Sequence, residues 1–229
     1  MQATEDRIAA VGQVLADPPQ VHPCASGAWS TDPACYEYMA TLAGPGARTL
    51  ETGLGVSTVL FALWGSQHTC VVYSEAEVAA CRRHMESRGI SAGRITFHIG
   101  PSERVLPNLA LDNLDLVFID GCHGFPLAAI DWFYAASMLR ADGVIVLDDA
   151  QLPQVRLGLF DFLNRDPRWA RTRRRRKWAA YQRRESGTLA EEWERQPFLG
   201  APRLDRYQDL VPAGARPFVI AAGRRLRLL

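Results

Sequence analysis

Two short stretches carry side chains from which chemistry could be built: Asp120-Gly-Cys-His123 and Asp148-Asp149. Each follows a near-continuous apolar run, 114–119 and 143–147, of the kind that forms strands buried on both faces of a parallel sheet. In such a sheet the carboxyl ends of neighbouring strands open onto one crevice, so three carboxylates and an imidazole converge there. Left alone, the carboxylates repel one another and at least one is driven towards protonation. A hard divalent cation with oxygen ligands, Mg²⁺ or Mn²⁺, relieves that conflict, which makes Asp120, Asp148 and Asp149 candidate metal ligands. His123 lies three residues beyond Asp120, near whatever the cation would bind. A neutral imidazole there can take a proton, so His123, with Asp120, is the candidate catalytic pair. The plainer reading is that the aspartates only cap loops and fix helix starts.

A second constellation lies upstream, in Glu51-Thr-Gly53-Leu-Gly55-Val-Ser57-Thr58. A glycine-rich turn between strand and helix lets a ligand approach the backbone closely. The dinucleotide pattern GxGxxG fails here because Thr58 holds the third position, and the GK[ST] of a phosphate-binding loop is absent. An acidic residue two positions before the first glycine suits a ligand with a positively charged amino group. Glu75, twenty residues after Gly55, could accept hydrogen bonds from both hydroxyls of a ribose. Ser102 and Glu103 follow a third strand and are placed to flank an adenine.

The elements needed to position these residues can be read from periodicity. Strands are expected at 48–51, 69–73, 95–98, 114–119 and 143–147. Helices are expected at 56–64, 77–88, 103–109, 126–140 and 153–164. This alternation predicts an α/β fold: a Rossmann-like doubly wound sheet, mostly parallel, with helices on both faces. Residues 1–45 read as an N-terminal helical extension, with helices at 4–16 and 33–42 joined by a proline-rich loop. Residues 46–229 read as the main domain, including a basic segment at 167–184 and an insert at 185–214. Residues 178–182 and 218–222 could pair as an antiparallel C-terminal hairpin, and 191–195 reads as helical.

The spacings of Glu51, Gly53, Gly55, Ser57, Glu75, Ser102 and Glu103 resemble those of class I S-adenosylmethionine-dependent methyltransferases, over residues 46–150. The resemblance implies S-adenosyl-L-methionine as cofactor. Glu51 and the glycine turn would meet its methionine end, Glu75 the ribose, and Ser102 with Glu103 the base, with Asp120 also on the cofactor. Asp120, Asp148 and Asp149 resemble the metal ligands of cation-dependent O-methyltransferases. The catechol type has Asn at the third ligand and Lys three residues after the first, where this chain has Asp149 and His123. The set is closer to metal-dependent sugar O-methyltransferases, which implies a sugar or glycoside acceptor. A catechol or phenolic acceptor is the first alternative. A non-catalytic, cofactor- or RNA-binding scaffold is the second.

Composition bounds the rest. The 229 residues are 48% hydrophobic and 22% charged, within the range of a globular chain. No apolar run approaches a membrane span, the N-terminus has no signal-like segment, and five cysteines include no CxxC pair. A cytoplasmic protein with reduced thiols is expected. Net charge is +1, but residues 1–150 hold 8 Arg against 17 Asp and Glu, while residues 151–229 hold 17 Arg and one Lys against 8. Lys177 is the single lysine of the chain. Arg171 and the run 173–177 could be a solvated strand paired with the acidic half, a grip on an acidic acceptor or a partner subunit, or an RNA patch. A net charge near zero weighs against nucleic acid. A homodimer is compatible with these features. Trp29, in the proline-rich loop, is the candidate for stacking on a sugar acceptor.

Overall fold

The computed structural model describes residues 3–22 and 30–185. Among them the alternating pattern resolves into β1 (Arg48–Thr52), α3 (Val56–Trp64), β2 (Gln67–Val72), α4 (Glu75–Ser87), β3 (Ile95–Ile99), α5 (Ser102–Val105), β4 (Leu114–Ile119), α6 (Leu127–Met138) and β5 (Leu139–Leu147). α7 (Pro153–Val155), α8 (Asp161–Arg165), β6 (Trp169–Arg174) and β7 (Ala179–Arg183) follow, and α1 (Thr4–Ala16) and α2 (Pro33–Leu42) precede. The seven strands form one sheet in the order β3-β2-β1-β4-β5-β7-β6. β1 to β5 run parallel, whereas β7 is antiparallel to both β5 and β6. The chain leaves β1 towards β2 on one side and returns to β4 on the other. That reversal puts a crevice at the carboxyl ends of β1 and β4, where open α/β sheets hold ligands.

Two apolar layers cover the sheet. On one face Val11 and Val14 of α1 and Tyr36 and Met39 of α2 pack with Leu60, Phe61 and Trp64 of α3. The Trp64 indole N–H donates to the Arg7 carbonyl at 3.0 Å, tying α1 to α3. On the other face Trp132 and Ala136 of α6 pack with Leu159, Leu163, Trp169 and Tyr181. Residues expected to form an N-terminal extension therefore share the core of the sheet domain. α2 starts as its sequence suggests, with the Asp32 carboxylate accepting from the Ala34 N–H at 3.0 Å and Pro33 in the first turn.

Three elements differ from expectation. β5 begins at Leu139, not at 143, because Leu139 already pairs with Leu114. Residues 141 and 142, left between the expected helix and strand, instead lie within β5 at an irregularity of its pairing, with Asp142 at φ 64°. The buried Arg183 side chain donates to the carbonyls of Ala136 and Leu139, closing the end of α6 just as β5 starts. Next, the helix expected at 153–164 is interrupted by a wide turn at Arg156–Phe160. Finally, a strand not expected from periodicity, β6, pairs with β7, because the basic segment folds back on itself within a four-residue connection. Residues 218–222, the helix expected at 191–195 and Trp29 lie outside the described residues. No helix among the described residues is long and apolar enough to cross a membrane.

Candidate active site

The crevice is a cavity of about 1170 Å³. The ends of five strands reach it: Thr52, Gly53 and Leu54 after β1, Val72 and Tyr73 after β2, the segment from Gly100 to Arg104 after β3, the segment from Asp120 to His123 after β4, and Asp148 and Asp149 after β5. Lys177, just before β7, joins them, as do His22 and Ser30 from the N-terminal part.

At the β1 end the backbone dictates the residue type. Gly53 has φ 96°, a conformation that disfavours side chains, and a Cβ there would collide with the Asp120 carbonyl group. The two loops can touch only because Gly53 has no side chain, and their contact brings the glycine turn beside Asp120. A buried network braces the turn from beneath. The Gly55 N–H donates to the Thr58 hydroxyl at 3.1 Å, and that hydroxyl donates to Glu51. Glu51 also meets His68 Nε2 at 3.1 Å, while His68 Nδ1 lies 2.8 Å from the Thr49 hydroxyl. Glu51 is fully buried and Ser57 nearly so, and neither reaches the cavity wall. Gly55 also stays off the wall. Glu51 thus braces the turn through Oε1, while its Oε2 is buried without a hydrogen-bond partner.

Glu51, His68 and Cys70 bring three donor atoms within 4.8 Å of one another. Burial and the nearby Glu51 hold the Cys70 thiol well above its ordinary range. Burial likewise pushes Cys81 up to about 12. Within this group the Glu51 carboxylate accepts from Thr58 and lies beside His68, while Glu51 Oε2 and His68 Nε2 are buried without a hydrogen-bond partner.

The β2 end also differs from expectation. Ser74 caps α4, its hydroxyl accepting from the Ala76 N–H at 3.2 Å, which leaves Glu75 in the first turn, exposed and off the cavity wall. Glu77, two residues on, lines the cavity and lies 3.3 Å from His22 Nδ1. Tyr73, 77% exposed, lines it as well. Ser102 and Glu103 are on the wall as expected.

The acids gather at the floor. Asp148 is 3% exposed; the Thr31 hydroxyl donates to its Oδ1, and Lys177 Nζ lies 3.7 Å from its Oδ2. The Gln151 amide donates to Asp149 Oδ1 at 2.8 Å, and His123 Nε2 lies 3.2 Å from Asp149 Oδ2 and 3.7 Å from Asp120 Oδ1. Burial drives the Asp120 carboxyl well up, Asp148 adds to the shift, and its hydrogen bond to His123 opposes it. Burial lowers the His123 pKa, but Asp120 and Asp149 outweigh burial and hold it above its usual value. The three carboxylates therefore share two positive groups, one on each side. Asp120, Asp148 and Asp149 are the carboxylates a hard divalent cation entering this crevice could meet, although their oxygens do not converge within the 4.8 Å that brings Glu51, His68 and Cys70 together.

Sequence reasoning placed Gly53, Ser102, Glu103, Asp120, His123, Asp148 and Asp149 where the cavity is. It missed Thr52, Tyr73, Glu77, Thr31 and Lys177. For Lys177 a signal existed, since it is the single lysine among 26 basic residues.

Comparison with known proteins agrees with this geometry. Residues 50–150 match a methyltransferase-domain family. Among solved structures, the cofactor-bound Rv0187 from MTB is 22% identical, with a TM-score of 0.56 over 81% of this chain and 92% of that one. The fold, a Rossmann-like mostly parallel sheet with an antiparallel C-terminal strand, is shared with that structure. The O-methyltransferase TomG from Streptomyces achromogenes, solved with S-adenosylmethionine and involved in tomaymycin synthesis, is 15% identical, with a TM-score of 0.55 over 81% of this chain and 91% of that one. A methyltransferase from Geobacter sulfurreducens is 15% identical, with a TM-score of 0.57 over 81% and 92%. No curated protein sequence matches the chain.

Proposed function

We propose that this chain is an S-adenosylmethionine-dependent, divalent-cation-assisted O-methyltransferase that methylates a hydroxyl of a sugar or glycoside. The observation that carries this reading is one cavity holding both the glycine turn at Gly53 and the Asp120, His123, Asp148 and Asp149 cluster. Methyltransferase-domain similarity over residues 50–150 supports the cofactor. Asp149 and His123, in the positions where the catechol type has Asn and Lys, support the sugar class.

The cofactor brings an electrophilic methyl group and the cation makes an acceptor hydroxyl more acidic, so the protein supplies orientation and proton removal. Gly53 admits the cofactor against the backbone. Of the residues on the cavity wall, Tyr73 and Glu77 would meet the cofactor's ribose, and Ser102 and Glu103 its base. Asp120, Asp148 and Asp149 hold the cation. His123, beside Asp120 and Asp149, would receive the acceptor proton, and those carboxylates would stabilise the imidazolium.

The test is a panel of glycosides and catechols assayed for S-adenosylhomocysteine formation, with and without EDTA. The reading expects turnover on glycosides that chelation abolishes and Mg²⁺ or Mn²⁺ restores. Turnover confined to catechols would overturn the acceptor class, and full activity after exhaustive chelation would overturn the cation.

A further inference from the structure

Lys177 is where the basic segment meets the acid cluster. Its carbonyl accepts from the Ala150 N–H at 2.7 Å, which fixes the residue across from the end of β5. Its ammonium donates to the Ser30 carbonyl at 2.8 Å and stands 3.7 Å from Asp148 Oδ2 and 4.0 Å from Asp149 Oδ1. These two distances are too long for the tight charge-assisted hydrogen bonds of a committed ion pair. The ammonium sits loosely astride two carboxylates, anchored chiefly by a main-chain oxygen.

Residue choice adds a second observation. Every other basic residue is arginine, including 171 and 173–176 immediately before it. A guanidinium here would fork onto the aspartates bidentately and hold them, whereas an ammonium is a compact point charge on a flexible stem that can withdraw.

We infer that Lys177 is a tethered counter-ion that competes with the divalent cation for Asp148 and Asp149 and so sets the cation's affinity. The inference rests on the cation reading of the site. Without the cation, Lys177 neutralises part of the acid cluster. When the cation arrives, the ammonium yields the carboxylates and keeps the Ser30 carbonyl. Lys177 is thus a positioning residue that tunes the site without touching the acceptor.

Calorimetric titration of Mn²⁺ into protein saturated with S-adenosylhomocysteine tests this, using wild type, Lys177→Met, Lys177→Arg and Asp148→Asn. The expected result is at least roughly tenfold tighter Mn²⁺ binding in Lys177→Met, at least roughly tenfold weaker binding in Lys177→Arg, and none in Asp148→Asn. Melting curves give an independent readout. Without metal, Lys177→Met should melt below wild type, and Mn²⁺ should raise its melting temperature by more than it raises that of wild type. If wild type binds Mn²⁺ and Lys177→Met binds it equally or more weakly, the counter-ion role is wrong while the cation reading stands. If neither wild type nor Lys177→Met binds Mn²⁺, the cation reading itself fails and the inference with it.

Discussion

Glu75 and Glu77 lie two positions apart on α4, which turns their side chains about 200° from each other. Only Glu77 lines the cavity. Removing a hydrogen-bonding carboxylate from a cofactor typically costs about 1–3 kcal/mol. Glu77→Ala should therefore weaken S-adenosylmethionine binding by that amount in calorimetry, and Glu75→Ala should leave it unchanged. The reverse ranking would return the ribose to Glu75. His123 gives a second prediction at this scale. His123→Ala should lower kcat by roughly 10²–10⁴-fold with little change in the KM for the cofactor. Its melting temperature should stay near that of wild type, because the side chain packs in a cavity wall and not in the core. A folded variant with near-normal kcat would make His123 a loop residue. The place of Asp120, His123, Asp148 and Asp149 on the cavity wall was legible because carboxylates and a histidine at strand ends meet in one crevice. The choice between Glu75 and Glu77 was not, because it depends on where Ser74 starts the helix, and a shift of two residues swaps the inward and outward faces.

At the scale of elements, the β1 turn and α6 make separate predictions. Gly53→Ala combines a left-handed backbone with a collision against the Asp120 carbonyl. A strained backbone of this kind costs about 1–3 kcal/mol before the loops move apart. The variant should lose that much stability in denaturant unfolding and lose cofactor binding as well. Asp131, on α6, is fully buried. Burial raises its carboxyl pKa, more than Ser102 and Thr52 lower it. Because the folded pKa lies above the unfolded one, ionisation is penalised only in the folded protein. Stability should therefore fall as pH rises from the unfolded value, about 4, through the raised folded value. Asp131→Asn should show a shallower fall across that window in thermal melts, and an unchanged slope would exclude Asp131 as its source. The parallel core strands were legible from their apolar runs, and both N-terminal helices form as expected. The start of β5 was hidden because Asp142-Gly143 has turn chemistry and yet lies inside a strand, held there by the pairing of Leu139 with Leu114. The β6–β7 pairing was hidden because a run of arginines gives no apolar alternation to mark β6.

For the molecule as a whole, the lopsided charge of the sequence has a meeting point among the described residues at the crevice. Lys177 brings the basic segment to Asp148 and Asp149. Arg173 lies over the ring of Tyr38, and Arg171 donates to Asn164. The described contacts of Arg171 and Arg173 are with Asn164 and Tyr38, and it is Lys177 that reaches the carboxylates. Asp148→Ala should abolish turnover and leave cofactor affinity largely intact, since the cofactor turn and the acid cluster occupy different strand ends. Parallel loss of both in paired binding and activity assays would mean that Asp148 shapes the cavity itself. The binding and turnover predictions presuppose S-adenosylmethionine in the crevice between β1 and β4. The most direct test is calorimetric titration of S-adenosylmethionine into the wild-type protein, with NAD as the control. The account predicts saturable one-to-one binding of S-adenosylmethionine, lost in Gly53→Ala, and no heat from NAD. No binding of S-adenosylmethionine, or tight binding of NAD in its place, would contradict it.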